Sequence, residues 1–203
     1  AWAIQLLCED MKPSVAAVSK FRVMAKEDPS PVVRLYLASA IQRLSTTDKW
    51  EIAGNLVQHA EDANDHNLPK LIWYSIEPLM AENPDRFLAL SNSSKIPLVT
   101  QYIARRAVDE DELGKLVTLI GKGGSNTEQL LTGMLAGMEG RTDLKIPQNW
   151  KTVSDKLQQS NGKSKILAQE ISGLFGDTEA TQRAFALLKN KNALIDQRKK
   201  ALQ

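Results

Sequence analysis

The residue types that could perform chemistry are concentrated in one short stretch, residues 59–66. Both histidines of the 203-residue chain lie there, and two aspartates complete the spacing His-x-x-Asp-x-x-Asp-His. Zinc accepts imidazole and carboxylate ligands in a tetrahedral set. The stretch is therefore a candidate metal site and the basis of an enzyme hypothesis, while the competing interpretation is a solvated acidic turn between helices. The four candidate ligands are His59, Asp62, Asp65 and His66.

A second group of uncommon residues follows directly, in the segment DHNLPKLIWYSIEPL (65–79). Trp73 and Tyr74 are adjacent, so on a helix one is expected to face the core and the other the solvent. The sequence leaves open which of the two is exposed. Glu77 lies four residues after Trp73, on the same side of a helix. Exposed aromatic side chains beside a charge mark a partner-binding surface, whereas buried ones contribute packing.

Other types of active site lack essential parts. Two histidines seven residues apart leave no separate partners for a Ser-His-Asp arrangement. The segment GKGGSN (121–126) is rich in glycine, but it follows no strand and lacks the Lys-Ser or Lys-Thr pair of a phosphate loop. The single cysteine, Cys8, lies in an apolar run and is expected to be a buried structural thiol. We therefore predict no catalytic residues and no cofactor bound by this chain.

The composition is that of a globular protein, with 42% hydrophobic residues, 25% charged residues and a net charge of +2. A nucleic-acid-binding protein usually carries a stronger basic excess. No apolar stretch approaches the roughly 20 residues of a membrane span. The alternative function, nucleic-acid binding, would require basic residues from several helices to converge on one face. They are Arg34, Arg43, Arg105, Arg106, Lys163, Lys165, Arg198 and Lys199.

Hydrophobic periodicity predicts that helices position all of these residues. Apolar residues recur at intervals of three and four, as in Val15, Val18 and Phe21, and runs with strand-like alternation are missing. The breaks contain Ser, Thr, Asp, Asn or Pro, which are typical of helix starts. Residues 139–149 are predicted to form a longer loop. The pattern favours an all-α fold of many short helices.

Three of these helices share an internal repeat. The segments PVVRLY (31–36), PKLIWY (69–74) and PLVTQY (97–102) each place a tyrosine five residues after a proline. Proline is tolerated in the first turn of a helix, and the apolar residues that follow it fall on one helical face. Trp2 takes the same position in the first helix. A repeated helical unit of this kind predicts an α-solenoid.

The segment DPSPVVRLYLASAIQRL (28–44) resembles the second half of a HEAT repeat, with its Asp-Pro turn and Val-Arg opening the second helix. The resemblance implies a right-handed superhelix of about six helix hairpins. Residues 1–203 would form one domain, in which residues 1–10 belong to an incomplete first unit. Second helices of HEAT units line the concave face, so the expected partner-binding residues are Trp73, Tyr74, Glu77, Arg105 and Arg106.

A wider resemblance covers AWAIQLLCED, the HEAT-like segment, HAEDANDHNLPKLIWYSIEPL and SKIPLVTQYIARRAV, in this order. Together they are similar to the helical middle region of the planctomycete- and verrucomicrobia-type putative membrane-bound dehydrogenase and haem-binding proteins. In that family, a sorbosone-dehydrogenase-like β-propeller precedes this region and a c-type cytochrome domain follows it. The resemblance implies a non-catalytic interaction and spacer module cut from a larger exported or periplasmic redox protein. Its partners would be neighbouring domains, and c-type haem would be bound only elsewhere in the parent.

Overall fold

The structure is a computed structural model that describes residues 1–141, 143–176, 185–190 and 193–201. Helices and loops make up this part of the chain, and it contains no strand, so the predicted all-α class is confirmed. A 3-10 turn at Ala60–Asp62 separates α4 from α5, and residues 185–189 are also helical. The helices are α1 (Trp2–Leu7), α2 (Val15–Glu27), α3 (Pro31–Ile41), α4 (Thr46–Leu56), α5 (Leu68–Ile76), α6 (Leu79–Glu82), α7 (Pro84–Ser93), α8 (Pro97–Asp109), α9 (Leu113–Lys122), α10 (Thr127–Met138), α11 (Trp150–Gln158), α12 (Lys163–Leu174) and α13 (Ile195–Lys200).

Several helices begin at the polar residues and prolines that the sequence predicts as helix starts. The first backbone N–H groups of a helix have no partner within it, so a side-chain oxygen or a proline suits this position. The Ser14 hydroxyl accepts a hydrogen bond from the N–H of Ala17 at 3.2 Å. The Asn83 amide oxygen accepts one from the N–H of Arg86 at 2.9 Å. Prolines lie in the first turn of α3, α5, α7 and α8.

The helices contact one another in two rows. In one row α3 contacts α1 and α5, α8 contacts α5 and α10, and α10 contacts α12. In the other row α2 contacts α4, and α9 contacts α7 and α11. We call α1, α3, α5, α8, α10 and α12 the tyrosine row, because three of them carry the repeated tyrosines. We call α2, α4, α7, α9 and α11 the opposite row.

The hydrophobic core lies between the two rows, because both rows turn their apolar stripes toward each other. Phe87 of the opposite row and Leu37 and Ile76 of the tyrosine row are fully buried in this core. Cys8 is buried as well, and burial raises the pKa of its thiol. A thiol with a raised pKa is less ionised and less nucleophilic, in agreement with a structural cysteine.

Helices α8 and α10 of the tyrosine row pack backbone against backbone. A Cβ atom added to Gly133 would lie 2.0 Å from the carbonyl oxygen of Gln101. A Cβ atom on Gly137 would lie 2.9 Å from the Cβ atom of Val108. No other residue type fits at Gly133 without moving one helix, so glycine sets the spacing of this helix pair.

The first helix leaves apolar surface exposed at one end of the rows. α1 contacts α3 and buries Ile4 and Cys8. Its other side chains include Trp2 and Leu6, which are 67% and 61% exposed. Val15 at the start of α2 is also exposed. Trp2 and Leu6 lie one turn apart on α1, and exposed apolar side chains side by side mark a surface that another protein element can cover.

Candidate partner-binding face

The repeated tyrosines occupy equivalent positions in three neighbouring helices. Tyr36, Tyr74 and Tyr102 each lie five residues after the proline of α3, α5 or α8. The rings of Trp2 and Tyr36 are 6.3 Å apart between centroids, which extends the aromatic series onto α1. The ring of Tyr102 lies 5.3 Å from that of Trp73. We call the solvent-accessible side of α3, α5 and α8 that carries these tyrosines the tyrosine face.

Trp73 and Tyr74 take different environments, which settles the alternative that the sequence left open. Ile72, Ser75 and Ile76 form the buried stripe of α5. Trp73 lies at the edge of this stripe, partly buried, and its ring meets that of Phe87 edge to face with centroids 6.2 Å apart. Tyr74 is 56% exposed. Of the two, Tyr74 is therefore the side chain open to solvent, while Trp73 packs against Phe87 and Tyr102.

Glu77 and Arg106 form an ion pair that joins α5 to α8. The distance between Arg106 Nη1 and Glu77 Oε1 is 3.4 Å, and Arg106 Nη2 lies 2.6 Å from Glu110 Oε1. The arginine and Glu77 are each about one-third exposed, at 34% and 35%. Exposed ion pairs of this kind add little stability, so their main effect is to hold these side chains in position.

Arg105 and Lys70 carry positive charges that are not neutralised on this face. Both side chains are exposed. In the part of the chain that the structure describes, neither lies within ion-pair distance of a carboxylate, whereas the neighbouring Arg106 contacts two. Lys70 lies one helical turn before Tyr74, so the two share a face of α5. The tyrosine face therefore combines an exposed aromatic ring with free positive charge.

The four metal-ligand candidates of residues 59–66 are not brought together as a ligand set. Both ring nitrogens of His59 are engaged: Nε2 lies 2.8 Å from the carbonyl oxygen of Ala25, and Nδ1 lies 2.8 Å from Glu61 Oε1. His66 is exposed. Among the described residues, no cluster of three or more His, Cys, Asp or Glu side chains could hold a metal ion.

The two aspartates of that stretch have structural partners instead. Asp65 Oδ1 accepts hydrogen bonds from the N–H groups of Leu68 and Asn67, both at 2.8 Å, so it caps α5. These bonds lower the pKa of the Asp65 carboxyl. Asp62 is buried and pairs with Arg34 of α3. The structure thus assigns both carboxylates to the packing of α5 and its turn.

The pair of Arg34 and Asp62 is the most buried ion pair among the described residues, with side chains 1% and 2% exposed. Arg34 Nε donates to Asp62 Oδ2 at 2.6 Å, and Nη2 donates to Oδ1. Arg34 Nη1 donates to the carbonyl oxygen of Asp28 at 2.8 Å, at the end of α2. One arginine therefore connects α2, α3 and the turn before α5. The hydrogen bond with Asp62 raises the pKa of Arg34, so the guanidinium remains charged.

The sequence analysis counted Arg34 among the cations that nucleic-acid binding would require and weighed Asp62 as a candidate metal ligand or part of a solvated turn, so it missed this pair. The Val-Arg motif of the HEAT-like segment is the signal that could have suggested a structural arginine. Several of the basic residues that nucleic-acid binding would require are instead engaged with separate parts of the protein. Lys163 Nζ lies 3.3 Å from Glu128 Oε1, and Arg198 Nε donates to the carbonyl oxygen of Leu188 at 3.2 Å.

The glycine-rich segment 121–126 is a turn between α9 and α10. Gly123 and Gly124 have φ angles of 78° and 144°, which favour glycine. The Asn126 side-chain amide donates to the carbonyl oxygens of Ser91 and Ser94 at 2.6 and 2.8 Å, and so ties the turn to the end of α7. An open hollow of about 260 Å³ lies beside this turn, away from the tyrosine face.

Comparisons of the chain with protein-family models, curated proteins and solved structures gave no significant match. No helix within the described ranges is long and apolar enough to cross a membrane. The class that the structure itself defines is an all-helical protein whose helices contact in two rows. The tyrosine face is the surface of this protein on which a function can be argued.

Proposed function

We propose that this chain is a non-catalytic protein-interaction module, and that its partner docks on the tyrosine face. The observation that carries the proposal is Tyr74, a large aromatic side chain that is 56% exposed between partly buried neighbours. Tyr36 and Tyr102, at the equivalent positions, are both half-buried. Tyrosine and arginine are among the residue types most often found at the centre of protein interfaces. Arg105 lies on the adjacent helix.

We further propose that the fold is a HEAT-like α-solenoid, a right-handed superhelix in which the tyrosine row lines the concave side. The pairs α2–α3, α4–α5, α7–α8, α9–α10 and α11–α12, together with α1, correspond to six units. A hairpin of this kind cannot bury its apolar side alone, so it depends on its neighbours. The contacts of α3 with both α1 and α5 support this arrangement.

The larger setting that we propose is a spacer between the catalytic propeller and the c-type cytochrome domain of an exported redox protein. The resemblance of residues 1–110 supports it. The apolar surface of Trp2, Leu6 and Val15 also supports it, because a neighbouring domain would cover such a surface. The haem would belong to the parent protein. A reduced haemochrome spectrum of the intact parent tests this setting, and a parent without covalent haem would contradict it.

Site-specific photo-crosslinking tests the docking proposal itself. A benzophenone amino acid replaces Tyr74 in the full-length protein, expressed in its native host. The matched control carries the same group at Lys20, an exposed residue of α2 in the opposite row. We expect a discrete crosslinked species from position 74 and none from position 20. Identical patterns from both positions, or no crosslink at position 74, would count against the proposal.

A further inference from the structure

We infer that the segment that docks on the tyrosine face is an acidic peptide segment of the partner protein. Its carboxylates would pair with Arg105 and Lys70 while its backbone and apolar atoms pack on the ring of Tyr74. This inference rests on the proposed function, because it names the chemistry of the partner at the same face. It depends on three observations about the tyrosine face. Lys70 and Arg105 have no ion-pair partner within the described ranges, they lie on both sides of Tyr74, and they are too few for a nucleic-acid site.

In the part of the chain that the structure describes, two unpaired cations and one unpaired carboxylate, Asp109, are exposed on the face, and Asp109 follows Arg105 by one turn on α8. Glu77 and Glu110 are both held by Arg106, at 3.4 and 2.6 Å, and so are not free to bind a basic partner. Arg105 and Lys70 lack such a partner among the described residues, and both are exposed. Complementary charge determines which partners dock and how fast they associate. A partner that brings carboxylates would pair with Lys70 and Arg105, whereas a basic partner would find only Asp109 unpaired on the described part of the face.

The free cations lie on both sides of the exposed tyrosine. Lys70 precedes Tyr74 by one turn on α5. Arg105 follows Tyr102 by one turn on α8, and Tyr102 contacts Trp73 on α5 with ring centroids 5.3 Å apart. The ion pair of Arg106 with Glu77 also holds α5 and α8 together next to this position. A single segment crossing from α5 to α8 would therefore meet Lys70, Tyr74 and Arg105.

The number of free cations favours an acidic peptide over a nucleic acid. Proteins that bind DNA commonly neutralise about six to ten phosphates. Arg34 is buried against Asp62, Arg106 is paired with two carboxylates, and Lys163 contacts Glu128. Two free cations beside an aromatic ring match a few carboxylates on a peptide, where arginine can bind a carboxylate with two hydrogen bonds.

A peptide selection experiment identifies which side-chain types bind the tyrosine face without requiring the partner protein. A random dodecapeptide library displayed on phage is panned against the immobilised 203-residue chain. Recovered peptides are then synthesised with a fluorescent label and titrated by anisotropy. The variants are Lys70→Glu, Arg105→Glu and Tyr74→Ala, and the matched control is Lys20→Glu on the opposite row. Circular dichroism melting confirms that each variant is folded, and a single-stranded DNA of about 20 nucleotides is titrated in parallel.

We expect the recovered peptides to be enriched in Asp and Glu. Their affinity should fall about tenfold or more in Lys70→Glu and Arg105→Glu, because each change places like charges together, and should be unchanged in Lys20→Glu. Peptides that need Tyr74 but are not acidic would overturn this inference and leave the docking face intact. Peptides indifferent to all three face variants would overturn both. DNA binding that needs Arg105, without acidic peptides, would replace the inference with nucleic-acid recognition.

Discussion

Two junctions between neighbouring helices of the tyrosine row are built by opposite means. At the junction of α3 with α5, the buried pair of Arg34 and Asp62 joins the units through charge. At the junction of α8 with α10, Gly133 lets the helix backbones touch. The first means depends on two matched polar groups, and the second depends on the absence of a side chain. Similar stacking of helices is thus compatible with very different local chemistry.

The difference also changes which side chains the two helices expose. α10, which packs backbone to backbone against α8, has Ala136 as its single exposed residue. α5, which contacts α8 through the half-buried Trp73, exposes Tyr74 and Lys70. α10 therefore exposes one small side chain to solvent, whereas α5 exposes an aromatic and a charged side chain. The tyrosine face therefore ends at α8.

The largest expected effect comes from breaking the charged junction. Asp62→Ala leaves the Arg34 guanidinium buried without its carboxylate, so we expect a loss of about 3–5 kcal/mol in the free energy of unfolding. Urea denaturation measures it. Asp85→Ala removes an exposed carboxylate as the control, with an expected change within about 0.5 kcal/mol. If the two variants lose the same stability, the buried pair does not hold the junction. The double change Arg34→Met with Asp62→Leu should recover most of the loss, because it removes both charges.

Breaking the glycine junction should have the next largest effect. Gly133→Ala places a Cβ atom against the carbonyl oxygen of Gln101, 2.0 Å away in the present geometry, so α8 and α10 must separate. We expect a loss of about 1–3 kcal/mol in urea denaturation. Gly54→Ala is the matched control, because an added Cβ atom meets nothing within 4 Å there. That control should gain about 0.5–1 kcal/mol from its higher helix propensity. A stabilised Gly133→Ala would show that the backbones are not in contact.

Acid should weaken the contact of α2 with α4, where Arg22 pairs with Asp48, more than the glycine junction. The hydrogen bond from Ser45, followed by the one from Arg22, lowers the pKa of Asp48 below the ordinary value of 3.8. A carboxyl whose pKa is lower when folded contributes stability above its unfolded pKa and loses that contribution as the pH falls through the folded pKa. The free energy of unfolding should therefore fall below about pH 4 in the native chain.

The variant Asp48→Asn isolates this acid effect. It should be less stable than the native chain at pH 6, and the difference should shrink at pH 3, because the amide does not titrate. Urea denaturation at both pH values provides the measurement. Gly133→Ala should differ from the native chain by the same amount at both values. An acid-independent difference for Asp48→Asn would show that Ser45 and Arg22 do not stabilise the ionised carboxylate of Asp48.

The smallest expected effect is at the tyrosine face. Glu77→Gln removes one partner of Arg106 and should lower the free energy of unfolding by less than about 1 kcal/mol, because the pair is partly exposed. The same change removes one negative charge near Tyr74, while Arg106 keeps its contact with Glu110. Acidic peptides selected on the native chain should therefore bind the variant more tightly by anisotropy. Weaker binding would mean that Glu77 itself contacts the partner.

Helix caps and hydrophobic periodicity predicted the helices and the equivalent positions of the repeated tyrosines, because both depend on only a few neighbouring residues. The prolines before Tyr36, Tyr74 and Tyr102 start their helices as predicted. Glu77 and Arg106, both expected on the partner-binding face, lie close enough to pair with each other. These features follow from spacing within one helix or from the order of adjacent helices.

Features that depend on contacts between units were missed. Arg34 and Asp62 are 28 residues apart, and their pairing depends on how α3 meets the turn before α5. The acidic character of residues 59–66 suggested ligands, although one carboxylate caps a helix and another neutralises a buried arginine. The spacing of Gly133 and Gly137 by four residues was the signal for a close helix pair, because it places both on one face.

The most direct test of the docking face uses three of the four tryptophans of the chain as NMR reporters. Trp73 packs against Tyr102 of the tyrosine face, whereas the indole of Trp150 donates to Ser172 Oγ at 3.0 Å in the core. The guanidinium carbon Cζ of Arg86 lies over the ring of Trp50 in α4, 4.8 Å from the ring centroid. Titration of a selected acidic peptide should shift the Trp73 indole N–H signal and leave those of Trp50 and Trp150 in place. Shifts at Trp50 or Trp150 without one at Trp73 would contradict docking on this face.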